Sequence, residues 1–575
     1  MKDTSLTQKV HFTFPGYLCC LTILLSFILN VFASEYHVSP QGNDRNDGSK
    51  NMPLVKIQKA ISLAQSGDKI ILADGVYRES LNIEKSKISI MASGKAAIID
   101  GEENAENGLV ITSVENVIIS GLEIKNFTEC GIKISWATNC IIEKNIIHDI
   151  GSKTGISSAG KWVTGIYAFY RCQNMQIRQN AIYFICGHNE SYGMYLAHSS
   201  TLVEQNLVYL VDKTGIRVVD TDTIGKKHAL DKTVVRGNIL INNGYCGIDV
   251  NMMQSDFGVI VEHNFCGWNG ANGINPKHSF NWQLLHNTMY ANCYSGILVN
   301  SPEPRSTNGR AFENIIADNA SGFRIHLMGE NCNFDSNFYT KKNPSSTVFH
   351  DTTWTGAGKA YLMLSDVKTK TPYEARGMEA NNDNTFIDTA KGDFRINNIS
   401  AAKNAASGKT DMGAWAAILK EVGPDAIYGL DNIPLIHCYA LQLAEISGER
   451  EKFPGKNLID GSTDPSAVWQ CDGSDAMVIF TLPGEGQAAI GSIQIARAGH
   501  NKQYNPKEID ISIRQNTKSA WKEVLNGECY QGGAGRIFVF PNGTQAKQIK
   551  IEINNHGADY TEIADIRIYA PFKIR

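Results

Sequence analysis

From residue 141 to residue 299 the chain repeats one order of apolar and polar positions: an apolar run, an Asn, a second apolar run, then Gly followed by alternating residues. Asn145, Asn180, Asn206, Asn238, Asn264, Asn287 and Asn314 mark the register, separated by 35, 26, 32, 26, 23 and 27 residues. Each is flanked by apolar residues, as in Ile141-Ile142-Glu143-Lys144-Asn145-Ile146-Ile147, and Gly-led segments such as Gly165-Ile166-Tyr167 and Gly247-Ile248-Asp249 follow. A repeat of this length, whose unit cannot bury its own apolar face, predicts a solenoid of stacked units. The apolar positions are mainly Ile and Val, and Gly and Asn hold the corners, which favours three short strands per turn over a leucine-rich repeat. The expected fold is all-β: a right-handed parallel β-helix, in which like residues stack about 4.8 Å apart. An inward Asn column then satisfies turn amides while aliphatic columns fill the core.

Strand side chains alternate, so the residue after each Gly-apolar pair forms an outward column: Lys133, Tyr167, Tyr195, Arg217, Asp249, Asn275, Leu298 and Arg324. The next outward position reads Ser135, Phe169, Ala197, Val219, Asn251, Lys277, Asn300 and His326. Aromatics gather at one end and Arg, Asp, Asn and Lys in the middle, a combination that suits a sugar chain. Two longer loops, 152–163 and 220–231, border the same coils, and the second carries Asp220, Asp222 and Asp231. Plainer roles are open for the same residues: Tyr167 and Tyr195 can stack structurally, Arg217 and Asp249 can form a surface ion pair, and Asp220 and Asp222 can cap a turn.

Toward the N-terminus stand Val38-Ser39, Gly42, Asp44 and Asn46-Asp47-Gly48, then Gly67-Asp68-Lys69-Ile70-Ile71-Leu72 and Gly75-Val76-Tyr77. In this order they resemble the cap of secreted bacterial parallel β-helix proteins of the polysaccharide lyase and glycoside hydrolase type. The resemblance implies a short helix at about 56–65 that plugs the solenoid. The last clear coil is expected to end near Ile325. Phe338-Tyr339, Phe386-Ile387-Asp388 and Asp411-Met412-Gly413-Ala414-Trp415 resemble the closing coil, with a departure at Ser400-Ala401, where the pattern usually has Ser-Pro.

That resemblance implies two competing chemistries. A lyase removes the proton α to a uronate carboxylate and expels the 4-linked sugar, which needs a cation on the carboxylate and a base. Lys277, Arg217 and Asp249 are the catalytic candidates, and Lys is the easier base because burial beside another cation lowers its pKa. Tyr167, Tyr195, Asn251 and Asn275 are candidate sugar contacts, and Asp220, Asp222 and Asp231 offer hard oxygens for Ca²⁺. The adjacent Asp-Asp-Gly of calcium-dependent pectate lyases is missing. A glycoside hydrolase needs two carboxylates about 5–9.5 Å apart, for which Asp249 with Asp220 or Asp222 could serve. A non-catalytic polysaccharide-binding solenoid is the third reading. The mixture of Arg217, Lys277 and several Asp residues favours an acidic, uronate-containing chain and elimination.

Residues 416–432 read as a linker. Beyond Ile433, longer period-two strands predict a β-sandwich over 433–575, for example Ile509-Asp510-Ile511-Ser512-Ile513 and Ile549-Lys550-Ile551-Glu552-Ile553. With Asn457-Leu458-Ile459-Asp460-Gly461 and Ile566-Arg567-Ile568-Tyr569 it resembles the discoidin, or coagulation-factor C-type, jelly roll, bacterial copies of which commonly bind sugars. Arg497, His500, Tyr504 and Tyr560 are its candidate sugar contacts, Asp460 and Glu562 could hold structural calcium, and Trp469 and Trp521 are expected in its core.

At 575 residues and 42% hydrophobic composition the chain can build more than one core, and a net charge of −4 gives no basic field for nucleic acid. Lys2 and Lys9, an apolar run over 17–32 and Ala33 predict a signal peptide over 1–33. The β-helix domain is then expected over 34–415 of a secreted or periplasmic monomer with no membrane contact after cleavage and a polysaccharide as partner. Eleven cysteines remain after position 33, without CxxC spacing, and are expected as buried small residues rather than zinc ligands.

Overall fold

The computed structural model describes residues 33–571 except 152–161, 188–189, 198–199, 220–232, 252–257, 301–305, 327, 342–343, 352–358, 381–383, 390–392, 415–440, 460–467, 474, 497–505, 529–534, 542, 556–559 and 564. The apolar N-terminal run, the loop with Asp220, Asp222 and Asp231, the linker over 416–432, and Asp460, Arg497, His500 and Tyr504 therefore lie outside the described residues.

Three sheets of twelve strands each wind into a parallel β-helix. The first runs from Glu35–Val38 to Asn333–Asp335, the second from Leu81–Ile83 to Lys359–Tyr361, and the third from Gly75–Tyr77 to Met378–Glu379. One coil takes a strand from each sheet, as in Ile141–Glu143, Ile146–Gly151 and Val163–Phe169. The final pair of the second sheet, Thr347–Asp351 with Lys359–Tyr361, is antiparallel. A helix over Ile57–Leu63 buries Ile57, Ala60 and Ile61 against the open end, within the span expected from the sequence. The coils do not stop near Ile325: Asn333–Asp335, Phe338–Thr340 and Thr347–Asp351 add another. There Phe334, Phe338 and Phe349 are fully buried in place of Ile and Val, which hides the aliphatic signature.

The Asn column is buried at the turn between first and third sheets, and it extends to Asn337. Each member donates its side-chain amide to the next side-chain oxygen, for example Asn206 to Asn238 at 3.0 Å and Asn238 to Asn264 at 2.9 Å. A shorter second ladder, Asn243, Asn269, Asn292 and Asn319, closes the turn after the third sheet. The Gly column has an equally local cause. A Cβ at Gly165 would come within 2.6 Å of the Gly193 carbonyl oxygen, and one at Gly193 within 2.6 Å of that of Gly215, so the coils stack only with hydrogen there.

Beyond the solenoid, a five-stranded antiparallel sheet includes Asp475–Thr481, Gln548–Asn554 and Glu508–Arg514, and faces a three-stranded sheet of Gly535–Val539, Ser492–Ala496 and Asp565–Tyr569. Val478, Ile511 and Ile551 from one and Ile493, Ile495 and Ile568 from the other share a single apolar core, which makes this part a β-sandwich. The sandwich docks on the third sheet. Ile537 and Tyr569 join a core cluster with Leu207, Ile239, Phe265 and Ile315, and the closing segment adds Phe386, Phe394 and Ile396. Arg567 Nη1 donates to the Ala291 carbonyl at 2.8 Å across the same junction. No disulfide joins any two of the nine described cysteines, and seven of them are buried.

Candidate functional site

With the third sheet covered by the sandwich, the outer face of the second sheet holds the two columns expected from the sequence. Parallel pairing fixes its columns coil by coil: Lys133, Tyr167, Tyr195, Arg217, Asp249 and Asn275 are successive partners. Ala197, Val219, Asn251, Lys277, Asn300 and His326 form the next column. The two columns stand where strand alternation puts them.

Their surroundings differ from a free solvent face. Tyr195, Asp249, Asn251 and Asn275 are all buried. Arg217 Nε lies 3.6 Å from Asp249 Oδ2 with both side chains largely withdrawn from water, so the expected surface bridge is a buried pair. The Asn275 amide donates to the other Asp249 oxygen at 3.3 Å.

Three further residues complete the cluster. Arg217 Nη1 donates to the Tyr192 hydroxyl at 2.8 Å, Tyr192 in turn donates to the Glu190 carboxylate, and Lys213 Nζ is paired with the other Glu190 oxygen. The Arg217 guanidinium lies over the rings of Tyr192 and Tyr195, 5.4 and 5.6 Å from their centroids. Glu190 with Lys213 and Arg217 with Asp249 cancel in charge. Among the described residues of this cluster, Lys277, whose field reaches Asp249, is the surplus cation.

These environments pull the ionisable groups apart. Burial pushes the Asp249 carboxyl up, against the opposing pull of Arg217, Lys277 and Lys213. Burial would raise Glu190 too, but its hydrogen bonds from Lys213 and Tyr192 hold it below the usual carboxylate range. Burial draws the Lys213 ammonium down, and Arg217 adds to that, although Glu190 opposes it. Tyr167, at the aromatic end, is pushed up to about 12 by burial.

The side-chain oxygens of Asn251 and Asn275 are buried without a hydrogen-bond partner, as is Arg217 Nε. Two neutral oxygens fall well short of the six to eight donors of a calcium ion. Among the described residues no three His, Cys, Asp or Glu side chains converge on a metal position. The described residues alone therefore do not fit a calcium site.

Glu190, Tyr192 and Lys213 escape a reading keyed to the residue after each Gly. Tyr192 precedes Gly193, in a column with Cys130, Thr164 and Thr214. An aromatic in a file of small residues is the signal that could have found it; Glu190 and Lys213 lie in turns and carry none. In the sandwich, Tyr560 has Arg450 over its ring at 4.6 Å, and Glu562 is buried and accepts from Gln470 at 2.9 Å. Trp469 is core, as expected. Trp521 is not: it is half-buried on the sheet face, with Arg514 4.3 Å from its ring centroid, because it precedes the edge strand Lys522–Glu528 rather than lying inside one.

A family model described as Pel9A-like, right handed beta helix region, matches residues 36–218. The chain is similar to that β-helix family over this stretch, about a third of its length. A second model, periplasmic copper-binding protein (NosD), matches residues 156–365. The uncharacterized protein YwoF of Bacillus subtilis (strain 168) is 26% identical over 222 residues, 37% of this chain and 43% of the relative. Pectate lyase PEL9 of Emericella nidulans is 36% identical over 81 residues, 13% of this chain and 20% of the relative. The chain thus spans less than half the length of these curated relatives. Among solved structures, pectate lyase Pel9A superposes with a TM-score of 0.46 at 14% identity, covering 66% of this chain and 96% of its own. The family 32 carbohydrate-binding module of C. perfringens NanJ, in complex with galactose, covers 23% of this chain and 97% of its own, with a TM-score of 0.21 at 17% identity.

Proposed function

We propose that the protein is a secreted or periplasmic enzyme that cleaves an acidic, uronate-containing polysaccharide by β-elimination on the second sheet, with the C-terminal discoidin-like sandwich as a sugar-binding module. The observation that carries this is Lys213, paired with Glu190 on the same face as Arg217 and Lys277, its ammonium drawn down by burial and by the field of the permanently charged Arg217. Arg217 and Lys277 neutralise the uronate carboxylate and so acidify the proton α to it. Lys213, in its unprotonated form, takes that proton, the released electron pair forms the new double bond, and the 4-linked sugar leaves. The leaving oxygen takes its proton from solvent, and Asp249 stays paired with Arg217. Lys277, the base candidate from sequence, becomes the surplus cation. The match to Pel9A-like β-helix regions and the local similarity to a pectate lyase support this reading. Asp220, Asp222 and Asp231 remain the proposed calcium donors, and no step depends on that ion.

Conservative substitution separates the roles, because Arg keeps the charge of Lys but cannot act as a base. Lys213→Arg is expected to lower kcat about 10²–10⁴-fold with KM near wild type, while Lys277→Arg keeps most of its turnover. Reversed effects would exchange the two roles, and full activity in both variants would overturn the placement.

One observation favours hydrolysis as the second reading. Glu190 is held low and Asp249 is pushed high, the division of labour of a glycosidase carboxylate pair.

A further inference from the structure

The cluster at Glu190, Tyr192 and Arg217 does not end the aromatic character of this face. Ring contacts lead away from it toward the N-terminal coils: Tyr192 to Tyr195 at 5.1 Å, Tyr195 to Trp162 at 4.8 Å and Trp162 to Tyr167 at 6.1 Å between centroids. They continue from Tyr167 to Phe169 at 4.4 Å, Phe169 to Tyr170 at 4.6 Å and Tyr170 to Trp136 at 6.3 Å.

Exposure is greatest at the far end of this path. Tyr192 is fully buried, whereas Trp162 is 41% exposed, Tyr170 59% and Trp136 48%. Core packing does not account for large rings left half in water on three neighbouring segments. Trp136 and Tyr170 also occupy the first turn position after their strands with positive φ, 53° and 46°, where Ser113 stands on the preceding coil. Bulky side chains are disfavoured in that backbone region, so these rings are placed at a conformational cost.

The platform carries positive charge. Arg171 is exposed, at 5.2 Å from the Trp136 ring, and Lys133 lies 5.9 Å from the Phe169 ring. Sugar rings present C–H faces that stack on aromatics, and uronates add a carboxylate at each ring edge.

We propose that Trp136, Trp162 and Tyr170, with Arg171 and Lys133, form a run of subsites that holds the uncleaved part of a uronate chain along the solenoid and feeds it into the Arg217 cluster. From the coil of Tyr192 to that of Trp136 the run spans two coil rises, about 10 Å along the axis. This rests on the reading of that cluster as the cleavage site. It adds a preference for polymer over short oligomers, set by residues that touch no reacting atom.

Affinity electrophoresis tests binding without turnover. Wild-type protein, Trp136→Ala, Tyr170→Ala, Arg171→Ala and Lys213→Arg would be run through gels containing polygalacturonate, alginate or a neutral β-glucan, with circular dichroism confirming the fold. Retardation of the wild type by at least one uronate polymer is expected. Trp136→Ala and Tyr170→Ala should each weaken it about tenfold, Arg171→Ala should weaken it on the uronate polymers, and Lys213→Arg should leave it intact. No wild-type retardation by either uronate polymer, or platform variants retarded as strongly as wild type, would overturn the proposal. If the platform variants lose binding but no polymer is ever cleaved, the subsites stand and the cleavage reading fails.

Discussion

Asn337 donates its side-chain amide to Glu374 Oε1 at 2.7 Å and its backbone N–H to Oε2 at 3.2 Å, so a carboxyl group stands where the next Asn of the ladder would be. The Tyr339 hydroxyl adds a third bond at 2.8 Å. Every earlier Asn passes a hydrogen bond to its successor. The last needs an acceptor, and Glu374 provides one on each oxygen.

Burial nevertheless pushes Glu374 up to about 7. The folded protein therefore holds this proton over a range in which the unfolded chain, near 4.5, has released it. The resulting stability is fully present below about pH 4.5 and is lost as pH rises through about 7, a swing on the order of 3 kcal/mol. Thermal unfolding from pH 5 to 8 should show a steeper fall in Tm for wild type than for Glu374→Gln. Parallel curves would contradict the assignment.

Within the ladder, Asn264 donates to Asn287 Oδ1 and to the Val235 carbonyl, and accepts from Asn238. Asn264→Ala strands buried partners on both neighbouring coils. Unfolding in urea should register a loss of about 3 kcal/mol or more; a loss below about 1 kcal/mol would mean that water replaces the side chain.

The ladder and the outward columns were legible because every coil keeps the same order of apolar, Asn and Gly positions, even though loops vary the Asn separation from 23 to 35 residues. The Gly column was legible for the same reason. The burial of Asp249 and Asn275 was not, since alternation tells which way a side chain points but not what lies above it. Lys213 and Glu190 were hidden because turn residues carry no period, and Tyr192 because Gly193 interrupts the strict alternation of its strand. The docking of the sandwich through Ile537 and Tyr569 left no trace in the sequence either, for apolar residues facing a second domain look like residues facing a core.

The Arg217 and Asp249 pair is withdrawn from water, so its halves should not be separable. Arg217→Ala alone strands a carboxylate and is expected to cost about 3–5 kcal/mol. Combining it with Asp249→Ala should cost clearly less than the sum of the single changes. Simple additivity in a double-mutant cycle would show the pair to be uncoupled.

Ile537 is buried where the sandwich meets Leu207, Ile239 and Phe265 of the solenoid. Ile537→Asp places an unpaired charge in that junction and should split calorimetric unfolding into two transitions, the solenoid melting lower than in the wild type. One unchanged transition would show that the contact contributes little.

The central claim is elimination on the second sheet. The most direct test is to digest uronate-containing and neutral polysaccharides while following the ultraviolet absorbance of an unsaturated uronate together with new reducing ends, for wild type and Lys213→Arg, with and without chelator. Elimination predicts that both signals rise in step on a uronate polymer and that Lys213→Arg slows both together by about 10²–10⁴-fold. Reducing ends without absorbance would contradict it and make Glu190 and Asp249 a hydrolytic pair.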